Sequence, residues 1–224
     1  MDPLTQGLIG ASAPQLLTSK CRSIAWAGCF GLIAGMAPDL DVLIRSSSDP
    51  LLFLEYHRQF SHSIIFIPIG GLLIAGILHF LFRKKTQLSF RESWIFCTLG
   101  FGTHGCLDSF TSYGTMLWWP FNDERVALNI VSIVDPLFTI PVCLLLCVGV
   151  FRSQKRYSAA ALVWATVYLS VGLMQRERVT NIGYQIAEGR GHSPSRLFVK
   201  PSFGNILVWK VIYEANGHFF VDAV

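Results

Sequence analysis

Residues 63–82 constrain the fold more than any other part of the sequence. The run from Ser63 to Phe82 contains no charged residue, and Arg83, Lys84 and Lys85 follow it directly. A helix needs about 20 mostly apolar residues to cross the hydrocarbon core of a bilayer. The run therefore predicts a membrane-spanning helix that ends at a basic, water-exposed segment.

The rest of the chain favours a polytopic membrane protein, since 52% of its 224 residues are hydrophobic and only 14% are charged. Four further runs are interpreted as spans: Ser23–Ile44, Trp94–Ser112, Pro136–Phe151 and Tyr157–Met174. The shorter run Leu4–Leu17 is interrupted by glycine and proline, which predicts a short span, a re-entrant helix or an interfacial helix. We expect an all-α integral membrane protein with about five transmembrane helices and a short N-terminal apolar helix.

Basic residues between the runs indicate the orientation. Under the positive-inside rule Lys20–Arg22, Arg83–Arg91 and Arg152–Arg156 should all be cytoplasmic. Alternating spans then place the other ends of the helices, and the tail, on the extracytoplasmic side. The net charge of +4 is spread over these loops and does not form one basic stripe, which argues against a nucleic-acid partner.

The tail differs in composition from the rest of the chain. We divide the sequence into a membrane domain, residues 1–175, and an extracytoplasmic region, residues 176–224. Three short runs predict strands: Leu197–Lys200, Ile206–Tyr213 and His218–Val221. Asn216-Gly217 between the last two is a typical hairpin turn. The tail is expected to form a small β-containing extramembrane domain.

Acids and histidines gather at the predicted outer ends of the spans. The candidate metal ligands are Asp39, Asp41, His57, His62, His104 and Asp108. Such groups persist in apolar surroundings mainly when they are paired or bind a metal. His104 and Asp108 stand four apart on a predicted helix and so share one face. The alternatives are a core histidine with a nearby acid, and for Asp39 and Asp41 an acid pair at the helix break after Pro38.

The stretch between the first two long spans carries two of these ligands and a positively charged side chain, Arg58. His57 and His62 are five residues apart, so a turn near Ser61 is needed to bring them together. Arg58 suits the binding of a phosphate or an anionic transition state, or it neutralises Glu55 or one of the acids. We expect Arg58, His62 and Asp41 to act in catalysis. Asp135 is a secondary candidate that could simply start a helix.

Oxygen and nitrogen ligands without thiolates favour zinc or manganese, as one ion or two. Such an ion activates water for attack on a phosphorus or carbonyl centre. The expected substrate is a small molecule or a membrane lipid with a phosphoester or another anionic group. The sequence contains no glycine-rich phosphate loop, Ser/His/Asp order or kinase signature, which argues against nucleotide-driven chemistry.

The combined motifs resemble those of the YdjM/YbcI-type membrane-bound metal-dependent hydrolases. The resemblance covers roughly residues 1–140 and is carried by four blocks: Met1–Gly7, Gly35–Asp41, His57–Ser63 and Thr103–Gly114. It implies a multi-pass inner-membrane protein with a hydrolase site built from the six candidate ligands, facing the periplasm in the orientation inferred above. Many members carry histidine where this chain has Gln6, so the resemblance supplies no ligand there.

Two other functions use the same residues. A cation transporter would need a continuous path from the site to the cytoplasmic side. A structural or envelope-stress membrane protein would hold its metal in a closed site with four protein ligands. The predicted lack of ionisable residues in the inner halves of the helices argues against the transporter. For the hydrolase, a phosphoester is the favoured substrate class because Arg58 beside a metal suits phosphate.

Overall fold

The computed structural model describes residues 1–18, 21–49 and 51–224 of the chain. The predicted cytoplasmic residue Lys20 lies outside them. The α-helices of the described residues are α1 Pro3–Leu16, α2 Cys21–Met36, α3 Leu52–Tyr56, α4 Ile67–Thr86, α5 Phe90–Ser109, α6 Pro136–Arg152 and α7 Arg156–Gly189. Short 3-10 segments cover Ala37–Leu43, Phe60–His62 and Ile64–Phe66, and the strands are β1 Arg196–Pro201, β2 Trp209–Ala215 and β3 His218–Ala223.

Three helical stretches of the described chain are long and apolar enough to cross a membrane. They are Ser23–Leu43, Ile64–Thr86 and Arg156–Gly189. Helix α6 is apolar but has only 17 residues, and α5, which carries His104 and Asp108, is not among the three. The structure thus confirms a mainly helical fold with three candidate membrane-spanning helices in its described part, but not the predicted count of about five spans.

Helix α1 is the central helix of the bundle. It packs against α2, α5, α6 and α7, and ten of its 14 residues are buried. The Asp2 side chain caps its first turn by accepting a hydrogen bond from the Thr5 backbone at 3.0 Å. Since an interfacial helix buries one face in lipid and exposes the other to water, this burial does not fit the interfacial alternative.

Glycines allow three helices to cross in backbone contact. A Cβ atom placed on Gly31 of α2 would lie 2.3 Å from the Gly10 carbonyl oxygen of α1. One placed on Gly100 of α5 would lie 2.3 Å from the Gly31 carbonyl oxygen. Such approaches are possible only without side chains. The polar residues Gln6 and His104 stand one helical turn from this crossing, so the glycines also set the spacing of the site.

The connections at the site-bearing end are held by backbone hydrogen bonds. Helix α2 changes to a 3-10 winding at Ala37, just before Pro38, as the proline led us to expect. The loop between α5 and α6 then binds the segment that precedes α4. In it the Met116 amide donates to the Arg58 carbonyl at 3.1 Å, and the Ile64 amide donates to the Leu117 carbonyl at 3.0 Å.

Helix α7 is longer than a membrane requires. Its 34 residues extend over about 51 Å at 1.5 Å per residue, whereas the hydrocarbon core is about 30 Å thick. Near its middle, Gly172 lies against the Ile130 carbonyl of the loop before α6. The predicted span ended at Met174, but the helix continues to Gly189. The proposed domain boundary at residue 175 therefore falls inside a helix, and the division remains a prediction.

The last part of the chain forms an antiparallel sheet in the order β1-β2-β3. The hairpin prediction is confirmed, because Asn216 and Gly217 both have positive φ, 52° and 73°, between β2 and β3. The middle strand begins at Trp209 and not at Ile206. Its buried face carries Trp209 and Val211, and Val211 contacts α7 near Gly183.

Candidate metal centre

Four side chains from three parts of the fold converge at one end of the bundle. Asp39 comes from the 3-10 segment after α2, His62 from the segment before α4, and His104 and Asp108 from one face of α5. One ligand atom of each lies within 4.8 Å of those of the others. The side chains of His62, His104 and Asp108 are fully buried, and that of Asp39 is 20% exposed. We call these four residues the tetrad.

The protonation of His104 follows from its second nitrogen. Nδ1 lies 2.6 Å from the Gly35 carbonyl oxygen, and a carbonyl can only accept, so Nδ1 carries the proton. In the neutral imidazole Nε2 then presents a lone pair. It is directed toward Asp39 at 3.3 Å and Asp108 at 3.7 Å. A second nitrogen bound to a carbonyl is the usual arrangement of a metal-ligating histidine.

His62 has the same orientation. Its Nδ1 lies 2.9 Å from the Ser61 hydroxyl and 3.3 Å from Asp41 Oδ2. The Ser61 hydroxyl donates its own proton to Asp41 at 2.8 Å, so His62 Nδ1 is the donor on this side. Nε2 is left to face Asp39 at 3.5 Å and Asp108 at 3.4 Å.

The four ligand atoms of the tetrad are better suited to binding a cation than to hydrogen bonding with one another. Two carboxylate oxygens and two imidazole lone pairs are all acceptors, and both His62 Nε2 and Asp108 Oδ2 are buried without a hydrogen-bond partner in the described structure. The four distances between carboxylate and imidazole atoms run from 3.3 to 3.7 Å. Ligands bound about 2.1 Å from a four-coordinate ion lie about 3.4 Å apart. The donor set and its spacing therefore suit one divalent ion.

The electrostatics of His62 show that the carboxylates around it favour positive charge. Burial disfavours a charged imidazole, but contacts with the carboxylates of Asp108, Asp39 and Asp41 outweigh it and raise the pKa of His62 to about 9. The cluster thus attracts positive charge, which either a proton or a metal ion would supply.

Asp41 and His57 form a second layer beside the tetrad. Asp41 Oδ1 accepts from His57 Nδ1 at 2.8 Å, and Oδ2 accepts from the Arg58 amide at 3.0 Å in addition to Ser61. Asp39, Asp41 and His57 also form a second group that could hold an ion. Because both Asp41 oxygens already accept hydrogen bonds, its contacts favour the orientation of His57 and His62 over direct ligation.

Arg58 lies in the site, where its guanidinium already contacts other side chains of the protein. It has a left-handed backbone, φ 63°, and its Nε lies 3.2 Å from Asp108 Oδ2. Its Nη1 is 3.5 Å from the Thr111 hydroxyl, and the guanidinium stacks over Tyr113 with Cζ 4.8 Å from the ring centroid. The alternative that Arg58 neutralises an acid is therefore supported, with Asp108 and not Glu55 as the partner.

Comparison with known families assigns the chain: the family model described as YdjM inner membrane protein matches residues 1–179. The chain belongs to the YdjM family. The match agrees with the resemblance found in the sequence motifs, and together with the apolar helices it supports an inner-membrane location.

Two curated relatives are similar to parts of this YdjM-family chain. The uncharacterized protein YfhP of Bacillus subtilis is 29% identical over 119 residues, which cover 53% of this chain and 35% of YfhP. The inner membrane protein YbcI of Escherichia coli is 34% identical over 97 residues, 42% of this chain and 54% of YbcI. The chain thus spans about a third to a half of the length of these relatives. No solved structure matches it.

Three groups of this YdjM-family site were not selected from the sequence, although Gln6 was noted as a position where many members carry histidine. The Met1 amino group and Gln6 Nε2, the latter at 2.9 Å, both contact Asp108 Oδ1. Arg125 stacks over Tyr113 and donates to the His57 carbonyl at 2.9 Å. Gln6 could have been found as a polar residue in an apolar helix, whereas the other two reach the site only through the tertiary fold.

Other candidates lie elsewhere. Asp135 caps α6 by accepting from the Leu137 and Phe138 amides, and it also accepts a hydrogen bond from Tyr168 at 2.7 Å. It is therefore a helix-start acid. His79, His192 and His218, which the sequence analysis did not select, belong to neither metal-binding group of the described residues.

Proposed function

We propose that this YdjM-family protein is a membrane-embedded, metal-dependent hydrolase that acts on a phosphoester or another anionic substrate. The observation that carries the proposal is the tetrad, in which ligand atoms of Asp39, His62, His104 and Asp108 converge, and two of them, His62 Nε2 and Asp108 Oδ2, are buried without a hydrogen bond in the described structure. A mixed carboxylate and imidazole set of this kind is common in hydrolytic metal sites.

The tetrad would hold a divalent ion, with zinc and manganese as the best candidates. A bound ion of this type polarises a phosphoryl or carbonyl group and makes water nucleophilic near neutral pH. Asp39 is the partly exposed corner, so a substrate would approach from its side. The proposal needs one ion only, because both oxygens of Asp41 in the second group already accept hydrogen bonds.

The chain's own residues would position the substrate and move protons. The Asp41 carboxylate fixes His57 through Nδ1, and the His57 side chain is 14% exposed. Its Nε2 is therefore the atom proposed to give a proton to the leaving group or take one from water. The guanidinium of Arg58 would attract the anionic group and orient it.

The location of the chemistry follows from the orientation proposed for the helices. The tetrad lies at the ends of α2 and α5 that are remote from the basic residues 83–91 and 152–156. Under the positive-inside rule this end faces the periplasm, with the C-terminal sheet on the same side. The headgroup of a membrane lipid would then be within reach of the site.

A structural metal is the second candidate, and a specific observation favours it. Three of the four tetrad side chains are fully buried, and closed sites with four protein ligands are typical of structural zinc. A scaffold or envelope-stress role would then rely on the C-terminal sheet. A transporter is less well supported, because the tight glycine crossing of Gly10, Gly31 and Gly100 lies next to the site and leaves no room for an ion.

The test is elemental analysis of the detergent-purified protein together with a panel of phosphoesters. His104→Ala/Asp108→Ala is compared with wild type and with His79→Ala, whose histidine lies outside the metal groups. We expect stoichiometric metal and phosphoesterase activity in wild type and His79→Ala, and loss of both in the double variant. Metal without activity would favour the structural candidate, and a wild type without metal would reject both.

A further inference from the structure

An apolar groove runs along the outside of the metal centre. It has a volume of about 240 Å³ and lies between the 3-10 segment after α2 and the start of α4. Its walls are mostly apolar, including Pro38, Leu40, Phe60, Phe66, Leu73 and Phe101. We call it the acyl groove.

One end of the acyl groove reaches the site. Asp41 and Ser61 are its polar lining residues. The Ser61 hydroxyl donates to Asp41 and lies 2.9 Å from His62 Nδ1. A molecule in the groove would therefore have its end next to the residues that orient the tetrad.

The other side of the acyl groove opens on the lipid-facing surface. Leu40 and Leu73 on its rim are each 58% exposed, and both belong to stretches apolar enough to span the membrane. In a bilayer Leu73 would meet hydrocarbon, and Leu40, between Asp39 and Asp41 near the end of its stretch, would lie closer to the lipid headgroups. The groove would therefore be filled by what the membrane provides. Pockets that enclose a whole drug-sized ligand have volumes of about 300–1,000 Å³. The smaller volume of the groove suits part of one acyl chain.

We infer that the acyl groove binds one acyl chain of a membrane lipid and thereby presents the lipid's anionic headgroup to the metal centre. Hydrolysis of the headgroup is part of the proposed function, and the inference rests on the proposed function for that step. Binding of the chain itself needs neither metal nor hydrolysis. The substrate class is therefore a phospholipid and not a soluble phosphoester.

Photo-crosslinking tests the binding directly. The full-length protein in nanodiscs is irradiated with phosphatidic acid that carries a diazirine in its acyl chain, and labelled peptides are mapped. We expect saturable labelling around Phe60, Phe66 and Leu73 that unlabelled phosphatidic acid displaces and that persists after chelator treatment. Leu73→Trp should fill the groove and reduce the labelling severalfold. Leu72→Trp, on the same helix and 44% exposed but outside the groove, should not.

Labelling that is non-saturable and equal on all lipid-facing helices would overturn the inference, as would an equal loss in Leu72→Trp. Hydrolysis is measured separately as the ratio of rates on phosphatidic acid and glycerol 3-phosphate, which Leu73→Trp should lower. Saturable labelling without any hydrolysis would reject the proposed function and retain the groove. Hydrolysis of both compounds with an unchanged ratio and no specific labelling would reject the groove alone.

Discussion

The Nδ1 atom of His104 lies 2.6 Å from the carbonyl oxygen of Gly35. This hydrogen bond joins α5 to the last turn of α2 and turns Nε2 of the same ring toward Asp39 and Asp108. The bond can form because glycines let α2 and α5 approach in backbone contact. The packing of α2 against α5 therefore also sets the orientation of the His104 ring.

Gly31→Ala should destabilise the protein and reduce its metal content. The new Cβ would lie 2.3 Å from the Gly10 carbonyl oxygen, so the helices must separate, at a cost of about 1–3 kcal/mol. Thermal unfolding in detergent and metal analysis would measure both effects. Gly76→Ala on α4 is the control, because its Cβ meets no atom within 4 Å. Equal stability of the two variants would contradict the role given to the crossing.

Asp41→Asn should weaken metal binding without abolishing it. Asp41 orients His57 and His62 through contacts with their Nδ1 atoms. Loss of a residue that orients a metal ligand in this way typically lowers metal affinity about 10–100-fold. Asp108→Asn, which changes a member of the tetrad, should lose the metal even at high concentration. Calorimetric metal titration of the two variants gives the comparison. If Asp41→Asn also shows no binding at saturation, Asp41 is a ligand.

Asp135→Ala should affect stability and leave metal binding intact. The carboxylate caps α6 and accepts a hydrogen bond from Tyr168, so its removal should cost about 1–2 kcal/mol. The melting temperature in detergent should fall while the metal stoichiometry is unchanged. A loss of metal at unchanged melting temperature would mean that Asp135 belongs to the site.

The contact between Arg190 and Asp222 should stabilise the C-terminal sheet while Asp222 is ionised, and this stabilisation should be lost at acidic pH. Arg190 forms two hydrogen bonds to Asp222, at 2.8 and 2.7 Å, and they hold the pKa of Asp222 below its ordinary value, which is about 3.9 in an unfolded chain. The stabilisation is therefore present above that value and is lost as the pH falls through the lower pKa of the folded state.

The measurement is the rate at which pepsin releases the sheet from wild type and from Asp222→Asn between pH 2 and pH 5. The variant should be cleaved faster at pH 5, and the two rates should converge as the pH falls. Glu214→Gln is the control, because the Arg196 contact of Glu214 is 4.0 Å long and exposed. Rates that differ equally at every pH would refute the prediction.

Much of the site could be predicted from the sequence because its signals are local. The spacing of His104 and Asp108 follows from the helical repeat, and Pro38 marks the end of α2. The sequence could not show which of Asp39 and Asp41 joins His62, His104 and Asp108, because the 3-10 winding from Ala37 to Leu43 decides which carboxylate faces them.

Two features of the fold were harder to predict for similar reasons. The apolar run ends near Met174, but a helix needs no apolar residues to continue, so the extension of α7 to Gly189 carries little hydropathy signal. The contact of Arg125 with the His57 carbonyl depends on how the loop before α6 docks. Local patterns do not encode such long-range contacts.

The central claim is that Asp39, His62, His104 and Asp108 hold one divalent ion. X-ray absorption at the metal edge of the purified protein tests it most directly. We predict one equivalent of metal with two imidazole nitrogens and carboxylate oxygens at about 2.0–2.2 Å, and loss of the imidazole signal in His62→Ala/His104→Ala. An absorption spectrum without imidazole scattering, or a protein without stoichiometric metal, would contradict the claim.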